Sequence, residues 1–165
     1  MMQTYHYELD LDCVNSNSLI ARQIAKGSRV LEFGPAYGRL TKYMQKRLSC
    51  TVDLVELDEE AGSHAMVYAR SACVGDPDGD IETYRWESIL DKRTYDYIIF
   101  ADVLEHLRSP QKVLSVCRQH LNEKGVILCS VPNIAHSSVI LSLWNGDFTY
   151  QDTGLLDRSH VHILC

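Results

Sequence analysis

The sequence predicts an α/β fold, a doubly wound, mostly parallel sheet of about five strands with helices on both faces. Three observations predict it. Short apolar runs rich in β-branched residues recur along the chain, stretches with helical periodicity separate them, and the strongest runs are nearly continuous in apolar character. Strands alternating with helices build βαβ units, and a strand covered on both faces has no polar side to show.

A helix is expected over residues 16–25, ahead of a first strand at Arg29–Phe33 (RVLEF). Leu40, Tyr43, Met44 and Leu48 then recur at helical spacing. A second strand follows at Thr51–Glu56 and a third at 72–74. The string DPDGD at 76–80 is a turn, because Pro and Gly supply its special dihedrals. The fourth strand is Tyr95–Ala101 and the fifth covers 126–131. Between them Val113, Leu114, Cys117 and Leu121 form a helical stripe. Ser109 stands where an N-cap belongs, Pro110 stands where its missing N–H costs nothing, and Gly125 lies near the stop. A last helix at 136–144 leads into a polar, turn-rich tail.

The chain has 165 residues, with 16 Lys and Arg against 22 Asp and Glu, a formal charge of −6. A chain of this length buries roughly 70% of its unfolded surface, so a single domain needs no disulfide or structural metal. We divide it into a helical segment at 1–28, a ligand-binding core at 29–132 and a lid or acceptor segment at 133–165. The acidic balance argues against a general nucleic-acid binder, which needs clustered Lys and Arg. No apolar stretch approaches the ~20 residues of a membrane span. Residues 1–10 carry Glu8 and Asp10 and lack the apolar core of a secretory leader. Six cysteines (Cys13, Cys50, Cys73, Cys117, Cys129 and Cys165) form no C-x-x-C pair. Cys117 and Cys129 read as small core hydrophobes, and unpaired thiols imply a reducing, cytoplasmic location.

Chemistry concentrates at strand ends. Glu32-Phe33-Gly34-Pro35-Ala36-Tyr37-Gly38 closes the first strand with a carboxylate and two glycines four residues apart. Such a turn lets a ligand approach backbone beside a helix N-terminus. A carboxylate at Glu32 repels pyrophosphate and attracts a cationic amine, so a nucleoside with an aminoacyl tail suits the turn better than a dinucleotide. About twenty residues on, Glu56-Leu57-Asp58 ends the second strand with a carboxylate able to accept from both hydroxyls of a ribose. Gly75-Asp76 ends the third with a carboxylate suited to an adenine amine, although Asp also favours turns.

In order, the strings VLEFGPAYGRLTKYM, VELDEEA, VGD, YDYIIFADVLEHL and GVILCSVPN resemble the class I S-adenosylmethionine-dependent methyltransferases over about residues 29–132. The tail FTYQDTGLLDRSH is similar to the branch that includes MetW-like proteins and methyltransferases of bacterial glycan biosynthesis. The resemblance implies a Rossmann-like fold, S-adenosyl-L-methionine as cofactor and S-adenosyl-L-homocysteine as product. It implies a first cofactor motif at Glu32, Gly34, Ala36 and Gly38, with Ala36 where the family usually has a middle glycine. Glu56, with Leu57 beside it, would hold the ribose, Asp76 would face the adenine amine, and Ala101 and Asp102 would line the methionine end. The implied reaction is methyl transfer to a hydroxyl of a small-molecule or glycan acceptor. The alternative is a noncatalytic cofactor-binding or regulatory domain that retains the cleft. Family members finish a seven-stranded sheet, whereas the elements legible here stop at five. An unpaired edge is a template for association, and three accounts stay open: the chain is an excerpt of a longer protein, it pairs through that edge as a homodimer, or it is a remnant that binds ligand without turning over.

Asp102-Val103-Leu104-Glu105-His106 follows the fourth strand. Transfer to a hydroxyl needs a base, and His106 has the right pKa class, with Asp102 as the second catalytic candidate. The plainer reading makes Glu105 and His106 packing and capping residues. A third reading rests on resemblance to the D/E-x-x-E-H element of metal-dependent methyltransferases, in which Asp102, Glu105, His106 and the later His160 would hold a hard divalent ion. His6, His64 and His120 read as surface or turn residues, and His136 as a neighbour of the acceptor pocket. Trp144, Phe148 and Tyr150, in the segment 133–158, would serve as a lid that excludes water, while the plainer reading has Val139, Ile140, Leu143 and Trp144 cover the sheet edge.

Overall fold

The structure, a computed structural model, describes residues 9–162; His6 and Cys165 lie outside them. Five strands, β1 (Arg29–Phe33), β2 (Thr51–Glu56), β3 (Ser71–Val74), β4 (Tyr95–Ala101) and β5 (Leu121–Ser130), form one parallel sheet in the order β3-β2-β1-β4-β5. The α/β architecture and the number of strands are those expected. Phe33 pairs with both Val55 and Phe100, Glu56 with Val74, and Ala101 with Ser130, which brings the carboxyl ends of all five strands to one edge. The chain builds outward through β2 and β3, then returns to lay β4 on the other side of β1. Loops after β1 and β4 therefore diverge and leave a crevice, the place where open α/β sheets bind ligands.

Side chains alternate across the sheet. Val30, Val52 and Ile99 face α1 (Ser16–Ala21) and α2 (Arg39–Leu48), where they pack with Ile20, Leu40 and Met44. Leu31, Phe33, Ile98 and Phe100 face α4 (Arg85–Ile89) and α5 (Pro110–Cys117), packing with Trp86, Val113 and Cys117. Phe33 stacks on Phe100 with centroids 4.7 Å apart, and Trp86 meets Phe33 edge-on at 5.0 Å. Each such side chain contributes about 1.5–3 kcal/mol through burial, so the two layers anchor β1 and β4 beneath the crevice.

Several expectations are corrected. The first helix stops at Ala21, four residues short of Ala25. The helix after Pro110 ends at Cys117, a 3-10 turn covers Arg118–His120, and β5 starts at Leu121. Leu121 packs on the same core as the helix, so its apolar spacing could not distinguish helix from strand. Gly125 lies inside β5, where an added Cβ would stand 2.8 Å from the Tyr95 carbonyl. Cys117 is buried as expected, but Cys129 is exposed because β5 is the sheet's edge. Ser109 holds the N-cap position of α5 without a side-chain bond; Glu82 instead accepts from the backbone N–H groups of Arg108 and Ser109 at 2.9 and 2.8 Å. The short helices α3 (Glu59–Ala65) and α4 had no periodic signal. Near the C-terminus, α6 (Ser137–Trp144) forms where expected, with His136 as its N-cap. No helix among the described residues is long and apolar enough to cross a membrane.

Candidate active-site cleft

A cleft of about 1240 Å³ opens at the carboxyl ends of β1, β2 and β4. Gly34, Glu56, Leu57, Asp102 and His106 all line it, five positions singled out in sequence that are scattered over more than seventy residues.

The loop after β1 leaves the sheet through three left-handed residues, Gly34 at φ +63°, Ala36 at +48° and Gly38 at +75°. The glycines serve packing within the protein. A Cβ on Gly34 would stand 2.6 Å from Val103 Cγ2, and one on Gly38 would stand 2.6 Å from Ala65 Cα. Ala36 tolerates the same conformation with its methyl present, at a cost of about 1–2 kcal/mol. Its N–H points at β2.

Glu56 is the hub of the cleft. Its Oε2 accepts from the Ala36 N–H at 2.8 Å and its Oε1 from the Asp58 N–H at 2.9 Å, while Asp58 caps α3 through the Ala61 N–H. Each carboxylate oxygen keeps a further lone pair, so two hydroxyl donors can still be received. Glu32, by contrast, does not line the cleft. Strand alternation puts it on the α2 side with Val30, 2% exposed, where its Oε2 accepts from Thr41 Oγ1 at 2.7 Å. Burial pushes its carboxyl up to about 7, opposed by the Thr41 bond and assisted by the nearby Glu56 charge. Any attraction it exerts on a cation in the cleft acts through the field rather than by contact.

Asp76 is exposed and stands off the cleft. The Gly75 N–H donates to the Glu56 carbonyl and the Gly79 N–H to the Gly75 carbonyl, so the chain loops outward between them and returns at Gly79 and Asp80. Asp80 lines the cleft in its place. The signal that could have located it is a second Gly-Asp pair, Gly79-Asp80, followed by the buried Ile81. Tyr84, Arg108 and Lys112 also line the cleft and were not foreseen; Lys112 Nζ lies 5.1 Å from the Tyr84 ring centre.

Ala101 ends β4 without lining the cleft, and Asp102 follows at φ +56°. The Asp102 N–H donates to Ser130 Oγ at 3.1 Å, and its carboxylate accepts from Ser130 Oγ at 2.8 Å and from Ser16 Oγ at 2.9 Å. This ties α1 and the end of β5 to the mouth of the cleft. The next turn places Glu105 inward, 1% exposed, and His106 outward. Both Glu105 oxygens are buried without a hydrogen-bond partner among the described residues, and burial pushes its carboxyl up.

The C-terminal segment closes over this turn. Val161 and His162 donate their N–H groups to the Glu105 carbonyl at 2.8 and 3.1 Å. His106 Nδ1 lies 3.3 Å from the Ser159 carbonyl and 3.2 Å from Ser159 Oγ, whose hydroxyl is 2.6 Å from Asp157 Oδ1. With that hydroxyl donated to Asp157, both Ser159 oxygens can only accept, which places the proton of a neutral His106 on Nδ1 and the ring's lone pair on Nε2. From this segment Ser159 and Val161 line the cleft, whereas Trp144, Phe148 and Tyr150 do not. Trp144 is 87% exposed.

A parallel sheet with this order, a glycine turn after β1 and a carboxylate at the end of β2 defines an open α/β domain with a cleft at the carboxyl ends of its strands. The chain belongs to the methyltransferase domain family, whose model matches residues 6–161. No curated protein matches it in sequence. Among solved structures it is similar to coclaurine N-methyltransferase bound to N-methylheliamine and SAH, with TM-score 0.55 and 21% identity over 67% of this chain and 33% of that one. It is similar to the plantazolicin methyltransferase BpumL in complex with SAH, with TM-score 0.55 and 18% identity over 81% and 48%. A methyltransferase from Pyrococcus furiosus aligns with TM-score 0.53 and 17% identity over 78% and 66%. The chain thus spans between a third and two thirds of the length of these structures.

Proposed function

We propose that the chain binds S-adenosyl-L-methionine in this cleft and transfers its methyl group to a hydroxyl of a small-molecule or glycan acceptor, leaving S-adenosyl-L-homocysteine. The observation that carries the reading is Glu56, a strand-end carboxylate fixed by two backbone N–H groups with two acceptor positions left for a ribose diol. Leu57 would lie against the nucleoside and Asp80 would face the adenine amine, the role expected of Asp76. The turn at Gly34, Ala36 and Gly38 would pass beneath the aminoacyl part, with Asp102 at its methionine end. Carboxylates of Glu56, Asp58 and Asp80 make this side of the cleft favourable for a cation.

When bound, the cofactor supplies an activated methyl on a sulfonium, a leaving group that needs no acid. The protein's share is alignment and proton removal. His106 lines the cleft, and its Nε2 would take the proton from the acceptor hydroxyl as the oxygen–methyl bond forms. Ser159 would hold the ring in that tautomer, and Asp157 would hold Ser159. Beyond the cleft, the unpaired edge of β5 is the surface through which a homodimer would pair, and light scattering would read it.

Calorimetric titration with S-adenosylmethionine and S-adenosylhomocysteine, followed by a methyl-release assay over an acceptor panel, tests the reading. Saturable binding with turnover on a hydroxyl acceptor supports it. Binding without turnover supports a noncatalytic cofactor-binding domain, and absence of binding overturns both.

A further inference from the structure

We propose that Arg108 and Lys112 form an oxyanion subsite in the cleft, and that the acceptor carries a carboxylate or a phosphate ester close to the hydroxyl that is methylated. This rests on the methyl-transfer reading and narrows its acceptor class. The cleft is divided by charge. Glu56, Asp58 and Asp80 line one part of it, whereas Arg108 and Lys112 are the only Arg and Lys among its lining residues.

The first ground is that both cations are left uncompensated. In a chain of formal charge −6, neither makes an ion pair among the described residues. Glu82, which also lines the cleft, spends its two oxygens on the backbone N–H groups of Arg108 and Ser109 at 2.9 and 2.8 Å. That clamp fixes the backbone that carries the guanidinium without pairing with it. Lys112 stands in the first turn of α5, where the positive end of the helix dipole disfavours a cation and no acidic residue of that turn offsets it. Helix stability therefore gives no reason for a lysine at this place. An anion in the cleft does.

The second ground is the way Lys112 is held. Tyr84 adopts φ +58°, a left-handed conformation that bulky residues rarely take and that persists where the surrounding structure fixes it, commonly at ligand sites. Its half-buried ring lies 5.1 Å from Lys112 Nζ, within the range of a cation–π contact, so the ammonium is positioned and keeps N–H donors for a ligand. Ser109 holds the N-cap position with its hydroxyl unbonded to the helix, a further donor at the same place.

A guanidinium fork receives two oxygens of a carboxylate or phosphate side by side, and an ammonium adds a point charge. Arg108 lies two residues beyond His106, a backbone span of at most about 7 Å, so one small acceptor can reach both. The aminoacyl part of the cofactor is assigned to the turn after β1 and to Asp102, which leaves the two cations to the acceptor.

The full chain, with and without S-adenosylhomocysteine, is titrated with glucuronate, with inorganic phosphate and with glucose as the uncharged control, and amide NMR shifts around Arg108 and Lys112 read binding. Saturable shifts are expected from glucuronate, from phosphate or from both, which tells carboxylate from phosphate, and none from glucose. Added salt should weaken them. Arg108→Gln and Lys112→Gln, both at exposed positions, are each expected to weaken anion binding by about tenfold and to leave S-adenosylhomocysteine affinity unchanged. Arg108→Lys should recover only part of the loss, because the fork is gone. Among acceptors that are methylated, anionic ones should show a KM about tenfold below their neutral counterparts, and Arg108→Gln should remove that gap.

No saturable shift from either anion by roughly 10 mM overturns the subsite, as do equal shifts from glucose and anion binding that the variants leave unchanged. A loss of S-adenosylhomocysteine affinity in Arg108→Gln assigns the cations to the cofactor's own carboxylate and overturns it as well. Failure of the unaltered chain to bind S-adenosylhomocysteine is instead the failure of the methyl-transfer reading. Its own titration reads that, and the anion titration of the free chain is decided apart from it.

Discussion

The backbone N–H of Ala36 donates to the Glu56 carboxylate at 2.8 Å, so a residue held at φ +48° in one loop is fastened to the end of the neighbouring strand. Because the same carboxylate also receives the Asp58 N–H, its removal strips acceptors from two loops at once. We expect Glu56→Ala to weaken S-adenosylhomocysteine binding by about 1.5–3 kcal/mol, the scale of a hydrogen bond to a charged group. The melting temperature should fall as well. Calorimetry and thermal unfolding on the same samples check both.

Ala36→Gly is expected to stabilise the protein. Relief of the left-handed strain exceeds the added entropy of a glycine in the unfolded chain, for a net gain of up to about 1 kcal/mol. Urea unfolding reads this as a higher midpoint with an unchanged slope.

Gly34→Ala and Gly38→Ala are both expected to destabilise, by about 2–4 kcal/mol, through a positive φ combined with a contact of 2.6 Å. They differ in what can rescue them. Gly34 meets the side chain of Val103, so adding Val103→Ala should recover part of the loss. Gly38 meets the backbone of Ala65, and no side-chain truncation should help it. A double-mutant cycle in denaturant separates the two.

Glu32 makes stability depend on pH. Burial beneath α2 raises its carboxyl from 4.5 to about 7, the Thr41 bond opposing and the Glu56 charge assisting. Since the fold favours the protonated form, this group's contribution is complete below about pH 4.5 and is lost as pH rises through 7. Glu32→Gln should flatten that decline, which is on the order of 3 kcal/mol in full. Unfolding midpoints at pH 5.5 and pH 8 for the two proteins decide it.

His106→Ala is expected to lower turnover by roughly 10²- to 10⁴-fold while leaving S-adenosylhomocysteine affinity unchanged. Loss of both in parallel, measured by methyl release and calorimetry, would instead make His106 a structural residue of the C-terminal closure.

Much of the cleft was legible beforehand because its residues sit at strand ends, and strand ends are marked by where apolar runs stop. Gly34, Glu56, Leu57, Asp102 and His106 were found this way. Asp80 was missed because two Gly-Asp pairs lie within five residues, and only the backbone bonds of Gly75 and Gly79 decide which one faces inward. Leu121 was assigned to a helix because an apolar side chain on the core face carries no record of the backbone that presents it. Cys129 was assigned to the core because an edge strand can be as apolar as a central one.

Taken alone, the amino-acid order determined the alternation of strands and helices, the parallel sheet and the glycine turn between carboxylates, since periodicity and backbone freedom are local properties. The tertiary structure alone decided that Glu32 is buried against α2, that the glycines make room for Val103 and Ala65, and that Asp80 rather than Asp76 lines the cleft. Those relations join residues brought together by the order in which strands pack, and no local rule of spacing encodes that order.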